Sequence, residues 1–363
     1  MTPTPRSEPH AGSSERGLLP PTQLLQRNLD RIRGTNILLV GVPSDEGIAP
    51  MFGERSGVLL SFDYGAHLLN QRLLSVHGAV LQPRFGATYD AQEPRPDVVV
   101  AYLQKGKEAN DWMLAMAGAV VSPGGTVFLV GENHAGIRST AAVVEERVGK
   151  ITFSDAARHC ALYEAQASDS RSGVALESWE KRFSVTTGTG VIDIVSLPGV
   201  FSHGRLDAGT ALLLRHLPTG PRGSFLDFGC GCGVIGAAVK AAHPDCEVAL
   251  VDSSAFALQS TRRTFAANGL TATFIRPADG LAGVDECFDV IVSNPPFHQG
   301  IATNYEVVSA FLASCESHLR PGGCLLMVAN RFLPYEGLLR KSLDVSLVAE
   351  DTKYKVLKGT RRA

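Results

Sequence analysis

No stretch of this 363-residue chain stays apolar for the roughly 18 residues that a membrane-spanning helix requires. Its seven cysteines include no Cys-x-x-Cys pair, and Cys230 and Cys232 flank Gly231 too tightly for a usual zinc site. Disulfide frameworks and zinc ribbons are therefore excluded, and an odd, scattered set of thiols suits reduced packing residues in a cytoplasmic protein. There is no basic half either. Lys and Arg number 34 against 36 Asp and Glu, and residues 191–363 hold 16 of each. The one local excess is Lys353, Lys355, Lys358, Arg361 and Arg362, a run that suits either solvated surface or contact with phosphates. Residues 1–21, rich in Pro, Ser, Arg and Glu, lack the apolar middle of a secretion signal and read as a disordered tail.

What the chain does have is length for two domains, each with its own core, and a pattern stated twice. Pro96-Asp97-Val98-Val99-Val100-Ala101, a helix-like stretch near Trp112 to Ala119, and Ser122-Pro123-Gly124-Gly125 before an apolar run form the first statement. Phe288-Asp289-Val290-Ile291-Val292-Ser293, a helical stretch near Val307 to His318, and Arg320-Pro321-Gly322-Gly323 before an apolar run form the second. Strand, helix, Pro-Gly-Gly turn, strand is half of a doubly wound α/β sheet. The copies differ where ligands bind such sheets, beyond the strands' C-terminal ends. The second has Asn294-Pro295-Pro296-Phe297 there; the first has Tyr102-Leu103-Gln104-Lys105. Two prolines make a stiff loop that turns carbonyls outward. A rigid corner offering an amide oxygen, carbonyls and an aromatic face suits a flat heterocycle carrying an exocyclic amine.

A strand Ser224-Phe225-Leu226-Asp227-Phe228 runs into Gly229-Cys230-Gly231-Cys232-Gly233, and a second strand ends at Asp252. Glycines allow close backbone approach to a ligand at a helix N-terminus, and an acid at the second strand's tip can accept from ribose hydroxyls. Gly231, Gly233 and Gly236 with Asp252 also satisfy the dinucleotide fingerprint, so a nicotinamide oxidoreductase is a rival. Asp227 favours a ligand with a cationic amino group over a pyrophosphate. S-adenosylmethionine meets these demands, with Asp279 of Pro277-Ala278-Asp279-Gly280 placed to accept from the adenine amine or simply to cap a turn.

In this order, Asp-Phe-Gly-Cys-Gly-Cys-Gly, Asp252 and Asn-Pro-Pro-Phe resemble the class I S-adenosylmethionine-dependent N-methyltransferases. Further segments resemble, more narrowly, the bacterial ribosomal RNA guanine-N2 methyltransferases. They are Val130-Gly131-Glu132-Asn133 with Gly136-Ile137-Arg138-Ser139, Leu197-Pro198-Gly199-Val200-Phe201-Ser202 with Leu206-Asp207, Asn294 to His298, and Asn330-Arg331-Phe332-Leu333-Pro334-Tyr335. The last leans toward the small-subunit (16S) branch, and Lys355-Val356-Leu357-Lys358 toward the large-subunit (23S) branch.

The resemblance implies two tandem Rossmann-like class I methyltransferase domains, the N-terminal copy degenerate and the C-terminal copy catalytic. The expected division is a tail over 1–21, the degenerate domain over 22–170, a linker and hairpin over 171–195, and the catalytic domain over 196–363. The expected catalytic residues are Asn294, Pro295 and Phe297. Asp227, Gly229, Gly231, Gly233, Asp252, Asp279 and Asn294 are expected at the cofactor. Phe201, His298, Asn133, Arg138, Lys353 and Lys355 are candidates for RNA contact. The implied partner is ribosomal RNA or the small subunit, met by a monomer without metal or membrane. Adenine N6 or a protein glutamine are the alternative methyl acceptors.

Overall fold

The computed structural model describes residues 17–90, 92–168, 173–218, 223–295 and 303–362, with backbone alone over 303–307. These fall into two compact units. One takes the chain up to Ser61, Ala66–Arg84 and Tyr89–Val174; the other takes Phe62–Gly65, Phe85–Thr88 and the chain from Ala175 onward.

The first unit opens with α1 (Pro20–Arg27) and β1 (Asn36–Val40). It continues through α2 (Ile48–Phe52), β2 (Ser56–Ser61), α3 (Tyr64–Val76), β3 (Gln82–Phe85), β4 (Val98–Tyr102) and α4 (Lys107–Val120). β5 (Thr126–Glu132), α5 (Ala141–Arg147), β6 (Ile151–Ala157) and β7 (Cys160–Gln166) complete it. The sheet order is β3-β2-β1-β4-β5-β7-β6. β1 lies parallel to β2 and β4, β4 parallel to β5, and β7 antiparallel to β5 and β6. The reason is visible in the residues. Val98-Val99-Val100-Ala101-Tyr102 is buried throughout, as a parallel strand covered on both faces must be, whereas β6 alternates half-buried and exposed at the sheet edge.

The second unit begins with the hairpin β8 (Lys181–Thr187) and β9 (Gly190–Ser196). Then follow α6 (Ala208–Leu214), β10 (Ser224–Phe228), α7 (Val234–Ala242), β11 (Glu247–Asp252), α8 (Ala255–Ala267), β12 (Phe274–Pro277) and β13 (Phe288–Ser293). α9 (Thr303–Cys315), β14 (Leu319–Asn330), α10 (Tyr335–Leu339), β15 (Leu343–Glu350) and β16 (Tyr354–Arg361) close the chain. Its sheet runs β12-β11-β10-β13-β14-β16-β15, the order of the first sheet strand for strand. Leu226, Ile291, Leu325, Met327 and Leu357 of the sheet pack with Val308, Phe311 and Leu312 of α9 to form its core.

The repeat reaches into side-chain detail. Asp97 Oδ2 accepts the Thr35 and Asn36 N–H groups at the start of β1 (3.2 and 3.1 Å). Asp289 Oδ2 accepts the Ser224 N–H at the start of β10 (2.8 Å). A Cβ on Gly223, whose φ is 93°, would come within 2.1 Å of that same Asp289 oxygen, so glycine is required there.

Two expectations about boundaries differ from what is observed. The tail expected over 1–21 lies outside the described residues up to 16, but α1 already starts at Pro20, with Pro21 buried. Proline is a good first helical residue because its missing N–H is not needed there. The hairpin expected as part of a linker belongs to the second unit. Its return strand is bonded to α8 through Val195 N–H to Thr264 Oγ1 and Asp193 N–H to Asn268 Oδ1.

Candidate active site

β10, β11, β12 and β13 end side by side, and the chemistry-bearing residues stand at those ends. After β10, the Gly229 and Cys230 N–H groups both donate to Val251 O of β11 (2.9 and 3.1 Å), folding the chain back over the sheet edge. Gly229, Gly231 and Gly233 have φ of 68°, 56° and 76°, a region that favours glycine. At Gly233 space also decides, because a Cβ would sit 3.0 Å from the Thr261 side chain. Among the described residues nothing lies within 4 Å of a Cβ built on Gly229, which leaves the loop's outer face open to them.

Two acids bracket this loop. Asp227 is 1% exposed. Its Oδ2 accepts the Gly236 N–H at the first turn of α7 (2.9 Å), while its Oδ1 is buried with no partner among the described residues. Burial raises its pKa to about 7; the nearby Asp252 charge adds to that and the Gly236 N–H opposes it. Asp252, at the tip of β11, accepts Gly231 N–H on Oδ2 (2.9 Å) and Ser254 N–H on Oδ1 (2.8 Å). Its pKa is raised chiefly by burial, against those N–H bonds, with the Asp63 charge adding to the rise. Asp63 belongs to the Phe62–Gly65 segment of the second unit, where Tyr64 N–H donates to Ser253 O and Ala255 N–H to Phe62 O. Asp279 follows β12, whose Pro277 lies opposite Asp252, and its carboxylate is 3.0 Å from the Cβ position of Gly65. The dinucleotide alternative loses here. A pyrophosphate needs the loop's N–H groups, but those of Gly231 and Gly236 are already committed to carboxylates.

Asn294 follows β13 directly. Its Nδ2 donates to Thr210 Oγ1 (2.8 Å) and Asp207 Oδ2 (3.2 Å). A carboxylate only accepts, so the amide nitrogen must face Asp207 and the Oδ1 is turned away from it. Asp207 is itself fixed as the N-cap of α6, accepting Thr210 N–H at 3.0 Å. Beneath, Ser293 Oγ donates to Phe228 O (2.9 Å), tying the tips of β13 and β10 together, and Phe228 stacks on Phe311 with ring centroids 4.0 Å apart. Pro295 is buried beside Asn294. Thr210 was not singled out in the sequence. The signal for it is Asp207-x-x-Thr210, an N-cap pattern whose side chains serve the helix and the amide together.

The first sheet shows the same frame without the site. Its register puts Leu39 where Asp227 stands, Ser61 where Asp252 stands, and Tyr102 where Asn294 stands. Tyr102 even keeps a threonine partner, its OH lying 3.1 Å from Thr22 Oγ1 in α1. Gly41, the counterpart of Gly229, is covered instead of open. Gln104 Nε2 donates to Gly41 O and Tyr102 O, and it would lie 2.2 Å from a Cβ on Gly41.

Residues 191–358 match the methyltransferase small domain family, and residues 22–183 match its N-terminal companion, methyltransferase small domain N-terminal. The chain belongs to the methyltransferase small domain family. Among its relatives is the ribosomal RNA small subunit methyltransferase C of Shewanella loihica, 38% identical over 93% of this chain and 97% of that protein. The protein of the same name from Pseudomonas aeruginosa strain LESB58 is 39% identical over 90% and 95%. Among solved structures, the T. thermophilus 16S rRNA N2 G1207 methyltransferase (RsmC), in complex with AdoMet and guanosine, is similar with a TM-score of 0.80. It is 26% identical, covering 98% of this chain and 97% of that one.

For this methyltransferase, the structure brings Asp227, Gly229, Gly231, Gly233, Asp252, Asp279, Asn294 and Pro295 to the ends of four adjoining strands. Phe297 and His298 lie outside the described residues. Phe201 is 46% exposed; its neighbour Val200 is buried with a methyl 3.9 Å from the Cβ position of Gly231. In the first unit, Arg138 Nε donates to Asn133 Oδ1 (3.2 Å), so this pair holds its own turn.

Lys355 departs from expectation. It is 6% exposed and its Nζ donates to Glu336 Oε1 at 2.6 Å, because β16 turns this position inward against α10. It is an interior ion pair and not a cation for RNA. Lys355→Met is expected to cost about 1–3 kcal/mol in urea unfolding by leaving Glu336 without its partner, with RNA affinity unchanged.

Proposed function

We propose that this chain transfers a methyl group from S-adenosylmethionine to the exocyclic N2 amine of a guanine in 16S ribosomal RNA. The observation that supports it most is Asn294, an amide whose nitrogen is clamped by Asp207 and Thr210 so that only its oxygen is left to meet an amine. The residues around it suit the cofactor. A buried carboxylate oxygen without a partner, on Asp227, suits a primary ammonium. The open face at Gly229 suits a ligand lying along the loop. Asp252 at its strand tip suits vicinal ribose hydroxyls, and Asp279 suits an exocyclic adenine amine.

When bound, S-adenosylmethionine supplies a methyl carbon made electrophilic by its sulfonium. The chain's own residues prepare the acceptor. The N2 lone pair of guanine is delocalised into the ring, which makes it a poor nucleophile. Asn294 Oδ1 and the Pro295 carbonyl, accepting from its two N–H bonds, favour the pyramidal nitrogen in which that lone pair is free. The nitrogen–carbon bond forms as the carbon–sulfur bond breaks, leaving S-adenosylhomocysteine. The surplus proton on nitrogen passes to water, since neither acceptor is basic enough to keep it. Phe297, by its family resemblance, stacks on the base. Positioning and polar complementarity do most of this work, and no metal or covalent nucleophile is called for. The guanine must be unpaired or extruded to reach the site. An rRNA substrate implies action in the cytoplasm, and no described helix is long and apolar enough to cross a membrane.

The direct experiment is to incubate the protein with labelled S-adenosylmethionine and rRNA from a strain lacking the gene, then digest the RNA. N2-methylguanosine from 16S rRNA is expected; N6-methyladenosine, label in 23S rRNA or label in protein would overturn the reading. Asp252→Ala is expected to weaken S-adenosylmethionine binding by roughly 10- to 100-fold in calorimetry, the cost of a hydrogen bond to a charged group. Unchanged affinity would remove Asp252 from the ribose.

A further inference from the structure

β14 ends at Asn330, opposite Tyr354 at the start of β16, and a groove of about 670 Å³ opens there. Asn330, Arg331, Phe332, Thr352, Lys353 and Tyr354 line it. Phe332 is 81% exposed, the most exposed large hydrophobic side chain among the described residues. The backbone around it is nevertheless tightly held. Arg331 N–H donates to Lys353 O (2.8 Å), joining the groove's two walls, and Leu333 N–H donates to Asn330 O (3.0 Å), closing the turn. Leu333 packs onto the core of the second unit. The turn is anchored on both sides of Phe332, and its ring is offered to solvent. An exposed aromatic on a fixed turn loses little entropy on meeting a flat partner.

The groove adjoins the amide site. Tyr354 forms one of its walls and lies 3.3 Å from the Cβ position of Gly209, which is the residue before Thr210. Charge selects the partner. Lys353 is in no ion pair among the described residues, and Arg331 sits 3.3 Å from Glu350 with both side chains about half exposed. Asp351, exposed beside them, has its Oδ1 held by the Lys353 and Tyr354 N–H groups (2.7 Å each). A stacking surface flanked by cations fits single-stranded nucleic acid, whose bases stack on aromatics and whose phosphates meet Lys and Arg.

Resting on the proposed function above, we propose that this groove is a second nucleotide subsite. In it, Phe332 stacks with a base next to the target guanine in the RNA chain, and Arg331 and Lys353 meet the adjoining phosphate. The subsite holds the strand and takes no part in methyl transfer.

The test is fluorescence anisotropy of a labelled single-stranded RNA carrying the methylated guanine and its neighbours, with nucleoside analysis alongside. Phe332→Ala should weaken RNA binding roughly 10- to 100-fold, the scale of losing one base stack. Phe332→Trp should restore it, and S-adenosylmethionine affinity should not move. At saturating RNA, Phe332→Ala should keep its rate of transfer. Lys353→Ala should lower the salt dependence of binding by about one counterion. Wild-type RNA affinity in Phe332→Ala, or equal loss in Phe332→Ala and Phe332→Trp, overturns the proposal even where the wild type still makes N2-methylguanosine. A wild type that binds RNA through Phe332 but methylates no guanine N2 would instead overturn the assigned reaction.

Discussion

Asn294→Ala is expected to slow methyl transfer by roughly 10²- to 10³-fold, the effect of removing one polar group that stabilises a transition state. Affinity for S-adenosylmethionine should stay within about two-fold. The fold should be intact, because Asp207 keeps its capping bond to Thr210 N–H when the amide is gone. Single-turnover kinetics with saturating cofactor and RNA reads the chemical step, and calorimetry reads the cofactor. Thr210→Val gives the graded companion. It leaves the amide oxygen in place but removes one of the two groups that hold it, so a loss of roughly ten-fold is expected. Transfer at the wild-type rate in Asn294→Ala would take the residue out of the mechanism.

The second large effect has two signs in one variant. Asp227 has a folded-state pKa of about 7 against an ordinary value of 3.8, through burial first, opposed by the Gly236 N–H bond and aided by the Asp252 charge. The native state therefore holds a proton that the unfolded chain has already lost between about pH 4 and pH 7, and stability falls as pH rises through that window. Above it, Asp227→Asn is expected to stabilise the ligand-free protein by roughly 2–4 kcal/mol in urea unfolding at pH 8. The same change should weaken S-adenosylmethionine binding by roughly 10- to 100-fold, because the partner offered to the ammonium loses its charge. In the wild type, binding should tighten as pH rises through about 6 to 7 and release a proton. Calorimetry in buffers of different ionisation enthalpy counts it. Binding that is independent of pH and releases no proton would show that the ammonium does not meet Asp227.

The fold was legible in the sequence because its signals are local. β4 and the Val290-Ile291-Val292 centre of β13 are apolar runs, each followed by a helix and a Pro-Gly-Gly turn, and that recurrence predicts the twin sheets, whose strand orders match throughout. The glycine loop was legible through residue type alone, since left-handed φ at Gly229, Gly231 and Gly233 leaves few other choices. The clamp on Asn294 was not. Thr210 is separated from it by 84 residues, and Asp207-x-x-Thr210 signals a helix cap without signalling that the cap meets Asn294. Lys355 failed for a related reason. Lys355 opens the buried stretch Lys355-Val356-Leu357 of β16, and charge type says nothing of burial until the strand is placed against α10. Phe332 stands in the Asn330 to Tyr335 segment, but its exposure follows only from the turn that presents it.

The substitution of Leu39 for an acid at the end of β1 carries a lesson about what binding demands of an interior. One half of the molecule is free to fill that place with hydrocarbon. The other keeps a buried carboxylate in the same spot, at a cost in its ionisation. Two outcomes of one strand order thus stand within a single polypeptide, and each serves as the control for the other.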